Sequence, residues 1–486
     1  MIKRSDRFVR MMRVFLLVSL VAIAAAASAQ PLRLLPENPH YFLYAGKPAV
    51  LITSGEHYGA VLNKAFDYRR YLDTLHADHL NLTRTFSGSY REVPGNFQIS
   101  GNTLAPAPGE FIAPWRQRGD KFDLTKWDDA YFTRLKDFVA YASQRGVVVE
   151  FVLFCPLYED SMWDVSPLNA RNNLNGIGNV ARTDVLALKD ARLTEVEDAM
   201  VRKIVTELRD FDNVYYEICN EPYFGGVTLS WQEHISKVIA QTEANFPKKH
   251  LIDQNWANGS SVIDRPNPLV SLFTFHYSRP PESVAMNWKL NRAIGNNETG
   301  FDGNADATYR IQGWEFLMAG GALYNNLDYS FTVGHEDGTF TPPPATPGGG
   351  SPALRRQLRH LRAFFDEIPF WRMRPAPDGT VRGPMDASVR ALAEPGKVYA
   401  VYIGHARVLK DSKRPFQVDA TAAAREVTLQ LPPGSYRARW RDTRSGQDVK
   451  SENLKVSNPG REVRLTSPVY AEDVALVVRA IDASPR

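Results

Sequence analysis

The sequence predicts a protein of the α/β class: a parallel (β/α)8 TIM barrel followed by a small antiparallel β-sandwich. Between Tyr41 and Phe365, short apolar or β-branched runs alternate with helical patterns in about eight strand-then-helix units, which fits a closed barrel better than an open sheet. Those runs end in polar, ionisable or aromatic residues. Near Arg374 the helical spacing stops, and short strand-like runs separated by turn residues take over.

Three segments follow: a leader over 1–29, the barrel over 30–373 and the sandwich over 374–486. In the leader, Lys3, Arg4, Arg7, Arg10 and Arg13 precede the apolar run Val14 to Ala27, and Ala27-Ser28-Ala29 offers a small-x-small cleavage site. That is the pattern of a secretory signal peptide, and the run is too short for a comfortable membrane span. A secreted protein, periplasmic or extracellular, with no transmembrane span after cleavage is therefore expected. The five basic groups and Asp6 of the leader account for the whole net charge of +4, so the remaining chain is neutral and nucleic-acid binding is not indicated. With 44% apolar and 23% charged residues in 486, general disorder is excluded.

The barrel begins with Tyr41–Tyr44, a turn at Ala45-Gly46-Lys47-Pro48, and a strand over 49–53 that opens into Glu56-His57-Tyr58. Tyr68, Tyr71, Leu72 and Leu75 give 66–79 helical spacing. The second barrel strand, 80–86, carries Arg84 near its end. The long Gly/Pro-rich loop 87–119 follows, containing Tyr90, Glu92 and Trp115; loops of that length are usually functional. A helix is expected over 127–145, introduced by Asp123-Leu124-Thr125 and closed by Gly146. The apolar run 147–154 is a buried strand leading to Cys155, Tyr158 and Trp163. A helix over 194–211 precedes the strand Val214 to Cys219, which stops at Asn220-Glu221-Pro222, because proline cannot donate to a sheet ladder. Helix 230–246, strand 251–254, strand 269–275 ending at His276-Tyr277, strand 294–300 containing Glu298, helix 309–319, strand 322–326 and helix 354–365 complete the barrel.

In the sandwich, strands are expected near 397–403, 426–431, 436–441, 462–465 and 474–478. Turns at Pro432-Pro433-Gly434, Ser445-Gly446 and Asn458-Pro459-Gly460 separate them. Cys155 and Cys219 are the only cysteines; a bond between them is conceivable, but two buried thiols fit a chain this large.

At the mouth of such a barrel the strand ends bring Glu221 and Glu298 to facing positions. Two carboxyls about 5–5.5 Å apart are what retaining glycoside hydrolysis requires. Arg84 would keep one of them ionised, and Tyr277 would orient it. His57, Tyr158, Trp163 and Asn326 are expected to line the site beside Asn220 and His276. Each also has a plainer reading: solvated acids, a structural ion pair, a wall histidine, a loop staple. The pairs Glu56-His57 and His335-Glu336 lack further spaced ligands, so no metal and no organic cofactor is expected.

Asn220-Glu221-Pro222 closing one strand, Glu298 closing another, Arg84 after the second strand and His276-Tyr277 after the sixth resemble the clan A glycoside hydrolases over roughly residues 38–370. The resemblance implies Glu221 as acid/base, Glu298 as nucleophile, Asn220 as a contact to the sugar 2-hydroxyl, and a carbohydrate substrate. Asn38-Pro39-His40-Tyr41-Phe42, Gly46-Lys47-Pro48 and the terminal sandwich are similar to secreted cellulase-like or apiosidase-like relatives, whose last module is named for collagen binding. By the same resemblance that module would contact polysaccharide. One departure is the eighth strand, Leu323 to Tyr329, which lacks the family's tryptophan; Tyr329, Trp163 or Trp115 would replace it. Two rival classes remain at this stage, a non-catalytic carbohydrate- or matrix-binding barrel and a metal-dependent hydrolase on the same fold.

Overall fold

A computed structural model describes residues 30–409, 416–458 and 462–481. The expected leader, and Pro459 and Gly460 of the third sandwich turn, lie outside the described residues.

Eight parallel strands form the barrel: β1 Leu51–Gly55, β2 Leu82–Phe86, β3 Val148–Phe154, β4 Val214–Cys219, β5 Ile252–Asn258, β6 Leu272–His276, β7 Ala293–Glu298 and β8 Leu323–Leu327. Their order in the sheet is β2-β3-β4-β5-β6-β7-β8-β1. The seam between β1 and β2 has no continuous ladder, and a side chain bridges it. Asn81 Nδ2 donates to Val50 O (2.9 Å) and its Oδ1 accepts from Ile52 N (2.8 Å), so one amide replaces a backbone pair. At the other end Phe86 N donates to Tyr58 O (3.0 Å). With the seam stitched this way, the exposed edges that an open sheet would present are covered.

The helices form where the apolar spacing puts them, but local capping sets their first residues. Asp67, Asp128, Asp190 and Thr228 accept the orphan N–H groups of α1 Tyr68–Ala77, α2 Asp129–Gln144, α3 Ala191–Leu208 and α4 Leu229–Thr242. Helix α2 thus starts after the expected Trp127. Asp123 instead accepts from Thr125 in a turn, and Lys121–Trp127 pairs with Trp115–Arg118 as a hairpin that begins at the end of the loop expected over 87–119. Helix α5 Asp306–Met318 and helix α6 Pro352–Glu367, capped by Ser351, complete the layer.

The C-terminal part is a six-stranded antiparallel sheet facing a three-stranded one. Three strands not expected from the sequence, Arg374–Pro375, Ser388–Glu394 and Asp448–Val456, belong to the larger sheet. Asp448–Val456 alternates exposed with half-buried residues and has no apolar run to mark it. The period of two is plain in Val398–Gly404: Val401 and Ile403 enter the sandwich core, whereas Ala400 and Tyr402 pack into the barrel's apolar cluster. Tyr402 stacks on Trp314 of α5 (centroids 5.3 Å apart), and Arg310 of α5 forms an ion pair with Asp473. The sandwich is thereby fixed to the barrel's outer layer. Among the described residues, no helix is long and apolar enough to cross a membrane.

Candidate active site

The barrel's strand ends bring together most of the ionisable residues singled out in the sequence, and three backbone irregularities aim them. Asn220 N donates to Phe154 O (2.9 Å), the last rung between β3 and β4, and the chain then turns at Glu221 with φ +38°. Tyr277 (φ +51°) and Tyr58 (φ +62°) occupy the same left-handed region. Each such residue is strained without a glycine's freedom, and strain of this kind gathers at functional sites. A bulge on β7, with Asn297 as its extra residue, shifts the register against β6, so that His276 pairs with Glu298 at the end of β7.

The two carboxylates meet there. One oxygen of Glu221, one of Glu298 and a ring nitrogen of His276 all lie within 4.8 Å of one another. Glu298 Oε2 accepts from Tyr58 OH (2.8 Å) and from an Arg84 Nη (3.3 Å); its Oε1 accepts from Tyr277 OH (2.8 Å). Glu221 Oε2 accepts from Tyr158 OH (2.6 Å) and its Oε1 from Tyr223 OH (3.1 Å). His276 Nδ1 stands between them, 3.1 Å from Glu221 Oε1 and 3.3 Å from Glu298 Oε1. An ionised Glu298 only accepts, so that nitrogen carries the proton.

Burial alone would push the Glu298 carboxyl up. The charge and hydrogen bond of His276, the Arg84 guanidinium and the Tyr277 hydroxyl outweigh it and hold the carboxyl well below the usual range. Burial would likewise depress His276, but Glu298 and Glu221 raise it to about 9, so it is cationic at neutral pH. The site therefore stores a carboxylate under strong positive influence beside a second carboxyl group.

Arg84 is held from below. Its Nε and one Nη donate to the two oxygens of Glu217 (2.9 and 2.8 Å), and the same Nη donates to Asn220 Oδ1 (2.7 Å). Asn220 Nδ2 in turn donates to Tyr158 OH (2.8 Å). One guanidinium thus fixes the amide beside Glu221 and the carboxylate of Glu298 together. Beneath it lies a buried acidic layer of Glu150, Glu217 and Asp253, in which Asn297 donates to Glu150 (2.6 Å) and Glu217 (3.0 Å).

Of the residues expected to touch substrate, Asn220, Arg84, His276, Tyr277 and Tyr158 join this network. His57 does not bond either carboxylate: its Nε2 bonds Glu92 Oε1 (3.2 Å), and its ring faces Tyr329 at 5.8 Å. Asn326 and Trp163 stand outside the network. Asn326 is fully buried in the barrel wall, donating to Ser54 Oγ (2.9 Å). Trp163 donates its indole N–H to Val180 O (3.2 Å), stapling the loop after β3, and Trp115 is also fully buried, which leaves neither indole as a sugar platform. Tyr329 lies just past β8, packed beside His57. Cys155 and Cys219 are free thiols, and both flank Asn220.

Sequence reasoning passed over Tyr58, Tyr223, Glu217 and Glu150. The two acids had left a signal. Each is a charge inside an otherwise apolar buried strand, and such a charge has to be paired.

No protein-family model matches the chain, and no curated protein matches it. Solved structures do. A protein from Bacteroides vulgatus ATCC 8482 described as a candidate glycoside hydrolase superposes with a TM-score of 0.63 at 14% identity, covering 94% of this chain and 84% of its own. A glycoside hydrolase family 5 structure from the same organism gives 0.58 at 11% identity, over 93% and 94%. A third structure, a glycoside hydrolase, gives 0.58 at 14%, over 94% and 98%. These likenesses establish the fold, a near-closed (β/α)8 barrel with a C-terminal β-sandwich, over almost the whole chain.

Proposed function

We propose that this protein is a retaining glycoside hydrolase, exported through the leader over 1–29. The observation that carries the reading is the pair Glu221 and Glu298: their oxygens approach within 4.8 Å on two different strand ends, and one of the pair is held ionised. Binding alone needs no such pair, which disfavours a purely adhesive barrel. The glycoside hydrolases that share this architecture support the same direction.

In the first step a Glu298 oxygen attacks the anomeric carbon while Glu221 gives its proton to the departing glycosidic oxygen. The C–O bond to the leaving group breaks and a glycosyl ester to Glu298 forms. In the second step Glu221, now a carboxylate, takes a proton from water; the hydroxyl adds to the anomeric carbon, and Glu298 leaves as a carboxylate. Arg84, Tyr58 and Tyr277 hold Glu298 in its attacking position. Asn220, fixed by Arg84, borders the pair where a sugar hydroxyl would lie.

The atoms of Glu221, His276 and Glu298 also have the composition of a divalent-metal site. A ligating imidazole nitrogen must be unprotonated, whereas His276 Nδ1 is the proton donor between two acceptors. Activity should accordingly be insensitive to EDTA.

The test is a panel of aryl glycosides with two variants. Glu298→Ala should lose at least about 10⁴-fold in kcat and recover with azide as a glycosyl azide. Glu221→Gln should lose about 10²–10⁴-fold on poor leaving groups and less on activated ones. Full activity in either variant, on a substrate the parent enzyme cleaves, overturns the assignment. A mature chain beginning at Gln30 would verify export; retention of the leader would refute it.

A further inference from the structure

Three phenylalanines stand exposed around the mouth: Phe97 (38%) in the loop after β2, Phe224 (45%) after β4 and Phe301 (38%) after β7. Each ring packs edge-on against a tyrosine that holds a carboxylate. Phe97 and Phe224 both meet Tyr158, at 5.6 and 5.9 Å between centroids, and Tyr158 donates to Glu221. Phe301 meets Tyr277 at 6.1 Å, and Tyr277 donates to Glu298. Phe97 is also held at φ +53°, a strained state that keeps its ring in place at some cost.

Exposed apolar rings grouped at one opening are a binding feature more than a packing one. Two of them are on the side of Glu221, the group that protonates the leaving oxygen, so they border the leaving group. Three polar side chains on that side have already committed their donors: Asn220 Nδ2 to Tyr158 OH and Cys155 Sγ, and the Tyr158 and Tyr223 hydroxyls to Glu221. A sugar leaving group could lie on these rings but would find the donors of Asn220, Tyr158 and Tyr223 already taken from its hydroxyls. An aromatic leaving group needs no such donors and would bury its carbon faces against the rings. The carboxylates are also nearly enclosed, Glu221 at 9% exposure and Glu298 at 6%, which suits a pocket for a short substrate better than a cleft for a polymer.

We propose that Phe97 and Phe224 form an aglycone subsite selective for an aromatic leaving group, so that the substrates are glycosides of aryl or phenolic aglycones. The inference rests on the hydrolase reading for the identity of the leaving-group side. It is tested by calorimetric titration of the full chain with phenyl 1-thio-β-glycosides of glucose, galactose, mannose and xylose and with their methyl counterparts, none of which is cleaved. For at least one sugar, the phenyl compound should bind about tenfold more tightly than the methyl one. Phe97→Ala and Phe224→Ala should each reduce that preference, and the double variant should abolish it, while Phe301→Ala leaves it intact. Equal affinities, no phenyl binding at millimolar concentration, a preference that survives the double variant, or one that Phe301→Ala removes would overturn the proposal. Turnover of aryl glycosides is scored separately. Phenyl preference without turnover sinks the hydrolase reading and keeps the subsite; turnover without phenyl preference does the reverse.

Discussion

The barrel holds two triads of titratable groups, each with its atoms within 4.8 Å, and they behave oppositely. At the mouth, Glu221, His276 and Glu298 include a carboxyl held well below its usual range. One layer down, Glu150, Glu217 and Asp253 include a carboxyl raised to about 8, Glu150, and one raised well above its ordinary value, Asp253. Desolvation is the largest influence in both layers. What differs is the supply of positive charge. The mouth has an imidazolium, four tyrosine hydroxyls on Glu298 and Glu221 from the flanking loops, and one guanidinium arm. The floor has neutral donors too, from Tyr215, Thr274 and Asn297, but its three acids have only the rest of that one guanidinium as counter-charge, and burial beside Glu217 leaves Glu150 holding a proton. Arg84 belongs to both layers, and this makes the floor a positioning device for the mouth.

Breaking the shared group should have the largest effect. Arg84→Met leaves Glu217 buried without its partner and Glu298 with His276 as its one remaining cation. Unfolding free energy should fall by about 3–5 kcal/mol in urea titrations, and kcat by about 10²–10³-fold where the variant folds. Arg84→Lys should restore part of the stability and little of the rate, because an ammonium cannot fork between Glu217, Asn220 and Glu298.

Removing the mouth's own cation should come next. His276 is raised to about 9 from 6.5, so its contribution to stability is complete below about 6.5 and is lost as pH rises through about 9. The stability gap between the parent enzyme and His276→Gln should be widest near pH 6 and close by about pH 9.5. Without the imidazolium, Glu298 takes up its proton less reluctantly, and the acid limb of kcat/KM should move up by about one unit.

The floor should respond least. Glu150 is raised to about 8, so its favourable contribution, present below the ordinary carboxylate value, is lost as pH climbs through about 8. Glu150→Gln replaces a protonated acid with an amide of the same shape. It should lie within about 1 kcal/mol of the parent at pH 5 and become progressively more stable than it towards pH 8.5. A variant that is badly destabilised at pH 5 would show that Glu150 is ionised, and the contrast between the layers would disappear.

How far the sequence foretold these layers follows from the range of the signals. Strands such as Val148–Phe154 and Val214–Cys219 declare themselves by composition, and Pro222 marks where one ends, so the positions of Glu221 and Arg84 could be read directly. Helix starts depended on which aspartate capped, a choice between Asp123 and Asp128 that tertiary contacts made. The bulge that pairs His276 with Glu298 and the positive φ at Tyr58, Glu221 and Tyr277 leave no local mark, since none of these residues is glycine. Asn326 and Trp163 have the right residue types at the right strand ends, yet hydrogen bonds to Ser54 and Val180 commit them to the wall and to a loop. Spacing along the chain reports which strand end a residue occupies; it does not report which partner claims its side chain.

The stereochemistry of the first product tests the central claim most directly. Proton NMR of a freshly started hydrolysis, read before mutarotation, follows the anomeric signal of the released sugar. Two carboxyl groups this close leave no room for a water between nucleophile and substrate, so the account predicts the same anomeric configuration as in the substrate. Release of the opposite anomer would contradict it.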